Sequence, residues 1–268
     1  MTIACQRWRV GRDSFRPAGE RFLPGRHEVV VLPEVDAKAF VCRHHYSGSF
    51  PAARFRVGLM RAGVGLAGVA VFSVPMNERT IPKHTGVGPR EGVELGRFVL
   101  LDEVEGNGET WFLARAFALL ERELGEVKAV LSCADPMPRP GPEGSFRPGH
   151  VGTIYQAHNA RYVGRTEGRM LWVTREGRIL SPRTLSKLRV GDQGAAGAYE
   201  ILRRAGAPER QPFEDGAAYV ARALAEGPFT RVRHPGNHAY VWAVGRERHR
   251  TQLGLARALP FPKGGELA

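Results

Sequence analysis

The sequence predicts a mixed α/β fold around one mixed sheet, and three observations carry that prediction. Residues 93–101 read as an apolar strand that passes through Gly106, Asn107 and Gly108 into an amphipathic helix. Short strands come first and strands alternating with helices follow, in the order β–α–β–β–β–α–β–α–β–β. An apolar fraction of 43% over 268 residues supports one large domain, or one domain with a small appendage, without any apolar run of membrane-spanning length.

Taken in order, residues 1–26 are basic, with Trp8 and Phe15 among arginines, and lack clear periodicity. The β-branched run 28–33 stops at Pro33 and reads as the first strand. Asp36 is placed to cap a helix over 37–46, with Phe40 and Val41 inward. Phe55, Val57 and Leu59 alternate, Gly63-Val64-Gly65 turns the chain, and 66–72 is apolar, which together make an antiparallel hairpin. The polar stretch 76–92 reads as a loop, long for a compact domain. After the strand at 93–101, Trp111, Leu113, Ala114, Phe117, Leu120 and Leu124 fall at helical spacing over 110–124. Residues 128–133 form a buried strand, and the prolines and glycines of 136–149 exclude regular structure. A short helix over 153–159 precedes Tyr162-Val163-Gly164, and strands 170–174 and 178–180 flank Glu176-Gly177 as a hairpin. From 181 the chain offers a basic stretch at 186–191, two short helices over 195–205 and 217–225, and a last strand after His234-Pro235-Gly236. The expected organisation is a basic extension (1–26), a catalytic domain (27–180) and a basic C-terminal subdomain (181–268).

A net charge of +12 and a pI near 10.3 favour a polyanionic partner, nucleic acid first. Arginine-rich usage from a GC-rich genome is the bland alternative. Cys5, Cys42 and Cys133 are far apart and form no C-x-x-C pair, so neither a disulfide framework nor a zinc knuckle is indicated. Free thiols and the lack of a basic head followed by an apolar stretch predict a cytoplasmic protein, with no membrane partner. The oligomeric state is not legible.

A strand that feeds a helix N-terminus through glycines aims backbone N–H groups at one point, which suits an anion. Arg97 lies in an otherwise apolar strand and needs a carboxylate, such as Glu94, or a ligand. Asp135 ends a buried strand, where α/β sites gather, or else caps the loop that follows. Tyr155 is either a general acid, a stacking surface or core. His44 and His45 point about 100° apart on a helix and cannot simply serve one site. No His-Glu-x-x-His spacing exists, so a metal site would have to be assembled from separated residues such as His45, Asp135 and Tyr155. The 136–149 loop, with Arg139 and Arg147, is placed to close over a substrate.

The order of elements resembles the GNAT acyltransferase layout. That resemblance implies a strand at 93–101 that splays from its parallel neighbour. It also implies a donor pantetheine arm held by the backbone at Val99 and Leu100, and a pyrophosphate at Gly106, Asn107 and Gly108. The implied donor is acetyl-CoA or another activated small molecule. Glu103 stands where the usual motif has Gln or Arg, and a carboxylate there opposes a pyrophosphate.

More specifically, His45-Tyr46-Ser47-Gly48, Glu94-Leu95-Gly96-Arg97-Phe98, Asn107-Gly108-Glu109-Thr110-Trp111-Phe112, Ser132-Cys133-Ala134-Asp135-Pro136 and Gly149-His150-Val151-Gly152-Thr153-Ile154-Tyr155-Gln156-Ala157 resemble the phage Mom family. Leu185-Ser186-Lys187 and His234-Pro235-Gly236-Asn237-His238-Ala239-Tyr240-Val241-Trp242 extend the resemblance to roughly 28–243. It implies a GNAT-like enzyme of an infected or lysogenic bacterium that converts adenine in double-stranded DNA to carbamoylmethyl-adenine and so shields phage DNA from restriction. It also implies an iron requirement, and functional roles for His45, Tyr46, Arg97, Ser132, Asp135 and Tyr155. Reaching a base-paired amine requires extruding the base, and Tyr46, Tyr155 or Trp111 would then offer stacking surfaces. The competing readings are a conventional acetyl-CoA-dependent N-acetyltransferase and a non-enzymatic DNA-binding protein.

Overall fold

The computed structural model describes residues 4–9, 12–17, 22–140, 146–147, 149–245 and 258–262. In chain order its elements are β1 (Ala4–Arg9), β2 (Arg12–Pro17), β3 (His27–Val31), α1 (Glu34–His44), β4 (Ala53–Arg61), β5 (Gly65–Ser73), α2 (Thr80–Thr85), β6 (Gly92–Leu100), α3 (Gly108–Glu123), β7 (Ala129–Ala134), the two-residue β8 (Arg139–Pro140) and β9 (Phe146–Arg147), α4 (Thr153–Ala157), β10 (Arg161–Arg165), β11 (Arg169–Thr174), β12 (Ile179–Leu180), α5 (Pro182–Val190), α6 (Ala195–Arg204), α7 (Gly216–Glu226), β13 (Phe229–His234) and β14 (His238–Ala243). They divide into two compact units. The first comprises Met1–Pro138, Arg147–Thr166 and Gly236–Ala268, the second Arg139–Phe146 and Glu167–Pro235.

The first unit is built on a seven-stranded sheet in the order β10-β14-β7-β6-β5-β4-β3. Only β6 and β7 run parallel; the other neighbours are antiparallel. Both faces are covered, which is why β5 is apolar almost throughout. On one face Phe112, Leu113 and Leu120 of α3 and Tyr155 of α4 pack with Phe72, Leu95, Tyr240 and Trp242. On the other, Phe40 and Val41 of α1 meet Val69, Val71 and Val99, and Ile81 of α2 meets Leu131, Ala239 and Val241.

The second unit has its own core. Leu185 and Leu188 of α5, Leu202 of α6, and Tyr219, Val220 and Leu224 of α7 pack with Leu180, Trp172 and Phe229 of a three-stranded sheet ordered β12-β11-β13. Asp215 starts α7 by accepting the Ala218 N–H at 2.8 Å. Among the described residues no helix is long and apolar enough to cross a membrane.

Several expectations shift. The N-terminal extension contains the antiparallel pair β1–β2. Asp36 lies within the first turn of α1, which starts after Pro33, and the helix ends at His44, with His45 extended beyond it. The 76–92 stretch contains α2, and the basic stretch at 186–191 falls mostly within α5. The short strands β8 and β9 pair within the proline-rich segment, while 141–145 and 148 lie outside the described residues. The boundary expected at 180/181 does not follow the compact units. The hairpin at 170–180 belongs with the three helices, and β14 returns to the large sheet between β10 and β7. That pairing joins residues more than a hundred positions apart (Tyr240 opposite Ser132, Val241 opposite Leu131), and local pattern carries no sign of it.

Candidate active site where two strands part

The parallel pair β6–β7 is short: Gly92 faces Ala129, Val93 faces Val130 and Glu94 faces Leu131. Beyond that point β6 stays with β5 as far as Leu100, and β7 stays with β14 as far as Ala134. The strands fork, and the fork is the splay expected of the 93–101 strand. A bulge sits at the same place. Leu95 pairs with Phe72 and Arg97 with Val71, so Gly96 is the extra residue. A Cβ on Gly96 would lie 2.4 Å from Ser73 Oγ, so only glycine fits without movement.

The bulge decides which side chains meet. Strict alternation would put residues 94 and 97 on opposite faces. Through the bulge, Glu94 (opposite Ser73) and Arg97 (opposite Val71) share the face that carries α1. The Arg97 guanidinium donates from Nε to the Ser49 carbonyl and from Nη2 to Ser49 Oγ, both at 2.9 Å. Burial lowers its pKa, while Tyr46, Glu94, Tyr155 and Cys42 act in the opposite sense. Burial raises the Glu94 pKa against the pull of Arg97.

Ser132 enters the fork from β7, fully buried, and donates to the Leu95 carbonyl at 3.1 Å. The strand divergence would otherwise strand that carbonyl. Ser132 also lies beside the Tyr155 hydroxyl. Burial pushes the Tyr155 pKa well up; Ser132 opposes the rise, and Tyr46, Cys133 and Glu94 add to it. Burial therefore keeps Tyr155 a neutral phenol at ordinary pH. Its ring is clasped by Tyr240 and Trp242, each with centroids 5.5 Å away. Gln156 and Val151 hold Tyr240 in turn, and burial pushes the Tyr240 pKa up to about 12.

The α1 terminus supplies the remaining edge. His45 is buried, and its Nδ1 accepts the Ser47 N–H at 3.2 Å, which places the ring proton of a neutral imidazole on Nε2. Tyr46 lies against the His45 ring at 4.3 Å and meets His150 edge-on at 6.3 Å. Asp135 follows β7. Its Oδ1 accepts the Met137 N–H at 2.9 Å and its carbonyl accepts the His150 N–H at 2.8 Å, so it fastens both ends of the loop that leaves and re-enters here.

Of the residues expected from sequence, Tyr46, Arg97, Ser132 and Tyr155 thus gather in one electrostatic neighbourhood. His45 joins through Tyr46, and Asp135 stands at the loop base. Sequence reasoning missed Ser49 and His150 and weighed Glu94 only as an ion-pair partner for Arg97. The stacking roles expected of Tyr155 and Trp111 do not fit their surroundings. Tyr155 is enclosed by rings, and the Arg115 guanidinium covers Trp111 at 3.6 Å. Tyr46 is only partly buried.

The turn expected to hold the donor follows β6. Val99 and Leu100 end β6 along the open side of the fork, and Asn107, with φ of 68°, leads into α3. Gly108 allows a close approach, since a Cβ there would lie 2.4 Å from Val104. The turn is acidic: Glu103 is exposed, Glu109 occupies the first helical turn, and Glu105 is buried against Arg61 at 2.9 Å and His27 at 3.3 Å. Carboxylates at this position disfavour a diphosphate.

Of the residues expected to hold iron, His45 meets Ser47 through Nδ1, Asp135 accepts the Met137 N–H through Oδ1 and Tyr155 lies beside Ser132; among the described residues no three His, Cys, Asp or Glu side chains converge as a metal site. Cys42 and Cys133 are free thiols.

Residues 26–211 match the Mom protein family. The chain belongs to the Mom family. Its fold is GNAT-like, a mixed sheet with one splayed parallel pair. The Mom-family chain is similar to a tandem GNAT protein from the clavulanic acid biosynthesis pathway, with 10% identity, coverage of 82% and 99% of the two chains and a TM-score of 0.43. It is also similar to a Bacillus subtilis acetyltransferase in complex with CoA, with 11% identity, 82% and 99% coverage and a TM-score of 0.30. A GNAT family N-acetyltransferase (YhbS) from Escherichia coli in complex with CoA shows 14% identity over 47% of this chain and 81% of that one, with a TM-score of 0.30. No curated protein matches the chain.

Proposed function

We propose that this Mom-family protein is a phage DNA-modifying transferase that places a carbamoylmethyl group on the exocyclic amine of adenine in duplex DNA. The observation that carries the reading is the cluster of Glu94, Arg97, Ser132 and Tyr155 at the fork, with Tyr46 at its edge. Family membership supplies the substrate, and the net charge of +12 suits it.

Arylamine nitrogen is a weak nucleophile whose attack requires loss of a proton. Glu94, a carboxylate made more basic by burial, takes that proton as the bond from nitrogen to the donor carbon forms. The bond from that carbon to the leaving group breaks in the same displacement, and the Tyr155 O–H supplies a proton to the departing group. Arg97, fixed by Ser49, stabilises negative charge that develops there. Tyr46 is placed to stack on the extruded base. The donor is an activated small molecule gripped along Val99 and Leu100, and the acidic turn before α3 favours one without a diphosphate. Asp135 and His45 position the loop and Tyr46.

The test is mass spectrometry of nucleosides from plasmid DNA of cells producing the protein, beside Glu94→Gln and Arg97→Ala. A deoxyadenosine heavier by a carbamoylmethyl group, absent from both variants, supports the reading. Unmodified DNA from cells containing soluble wild-type protein, with every phage-encoded companion supplied, would overturn it.

A further inference from the structure

In the second unit, arginines are treated in two ways. On α6 and α7 and in the loop between them they are neutralised, while Arg183 and Arg189 of α5 are exposed. Arg203 and Arg204 pair with Glu200 at 3.0 and 3.7 Å, Arg222 pairs with Glu214 at 2.8 Å and Glu226 at 3.2 Å, and Arg210 donates to the Glu214 carbonyl. On the sheet they are left open. Arg231 and Arg233 of β13 are exposed and have no ion pair or hydrogen bond to a side chain among the described residues.

Their placement is regular. β13 is an edge strand, paired on one side only with β11. Arg231 stands opposite Trp172 and Arg233 opposite Met170, so all four side chains share one face. Where that face carries Phe229, Trp172 and Leu180, the helices cover it. Past that cover it emerges with Met170, 47% exposed, beside Arg233. Two residues along a strand span about 7 Å, the spacing of successive phosphates along one strand of a nucleic acid, and guanidinium is suited to bind them in bidentate fashion.

We propose that this β13 edge grips the phosphate backbone of duplex DNA through Arg231 and Arg233. The inference rests on the reading of duplex DNA as substrate and adds the surface that holds it outside the reacting base. Such contacts carry no sequence information; they fix position and supply salt-dependent affinity.

The experiment measures binding of the full chain to a plain duplex by fluorescence anisotropy across a salt series, for wild type, Arg231→Ala/Arg233→Ala, Arg231→Lys/Arg233→Lys, and Arg203→Ala/Arg204→Ala as the paired-arginine control. The expected result is a log–log salt slope shallower by about two in the β13 alanine pair, and unchanged in the lysine pair and the control. Amide exchange confirms that each variant is folded. A β13 alanine pair that keeps the wild-type slope overturns the proposal and leaves these arginines as guards of an exposed edge strand; plasmid modification by the wild type would still uphold the proposed chemistry. A lost slope with unmodified plasmid supports the grip and removes the chemistry instead. A wild type that binds no duplex overturns the grip.

Discussion

Both side-chain hydrogen bonds that Arg97 makes outside its own strand end on Ser49, one on the carbonyl and one on the hydroxyl. Ser49→Ala removes one acceptor and leaves the other. We therefore expect DNA modification to fall about tenfold in that variant and at least about a hundredfold in Arg97→Ala. The fraction of modified deoxyadenosine after a fixed induction time measures both. Wild-type modification by Ser49→Ala would mean that the guanidinium needs no second anchor. A different single residue governs acid stability. Glu105 is buried between Arg61 and His27; burial alone would raise its pKa, but the Arg61 hydrogen bond and charge, with a smaller contribution from His27, hold it below the usual 4.5. A depressed carboxylate contributes stability that is fully present above 4.5 and is lost as pH falls through the folded value. Removing one partner of a buried pair costs about 3 kcal/mol. Glu105→Gln should lower the unfolding free energy at pH 7 by that order and flatten the loss of stability below pH 4.5, a difference that urea titrations at several pH values would resolve.

At the scale of the element, the bulge in β6 is what makes a site out of a strand. Gly96→Ala would press a methyl group against Ser73 Oγ, and Ser73 is itself buried and donates to the Glu94 carbonyl. The expected outcome is destabilisation of about 1–3 kcal/mol, the cost of overpacking, with loss of modification. Adding Ser73→Ala removes the nearest atom while leaving Cβ 3.4 Å away, so the double variant should recover part of both. A double-mutant cycle in chemical denaturation reads the coupling; strict additivity would place the strain elsewhere. This bulge also marks the limit of what the chain reveals. The β4–β5 hairpin, β6, α3 and β7 were all legible, because alternation, helical spacing and Gly63-Val64-Gly65 are local signals. Arg97 stood out as a charge among apolar neighbours, and Ser132 and Tyr155 through family resemblance. Glu94 was legible as an ion-pair partner for Arg97 but not as its neighbour on one face, since a period of two assigns it to the opposite face and nothing local announces the extra residue. Ser49 was hidden because it lies 48 positions from Arg97 in a loop without pattern. The short α2 and α5 lack the length at which amphipathic spacing becomes distinctive.

At the scale of the whole molecule, the second unit is inserted into a strand pair of the first. The chain leaves after Thr166 and returns at Gly236, and those ends are adjacent: Thr166 N–H donates to the Asn237 carbonyl and Asn237 N–H to Thr166 Oγ1, both at 2.8 Å. β10 and β14 continue that pairing from Arg165 opposite His238. An insertion whose ends meet can fold around its own core without distorting its host, and the cluster around Leu202 and Tyr219 draws on residues of the second unit alone. Leu202→Ala empties a fully buried position and should cost about 2–5 kcal/mol there. Were the two cores energetically separate, amide exchange followed by mass spectrometry would show faster exchange in peptides from 182–226 and unchanged protection in α3, β6 and β7. The forked strands would then keep their geometry, and any loss of DNA modification would report on binding rather than on chemistry. Equal loss of protection in both units would show instead that the insertion and its host unfold as one cooperative body, and that the stability of the fork depends on helices contributed by a different stretch of chain.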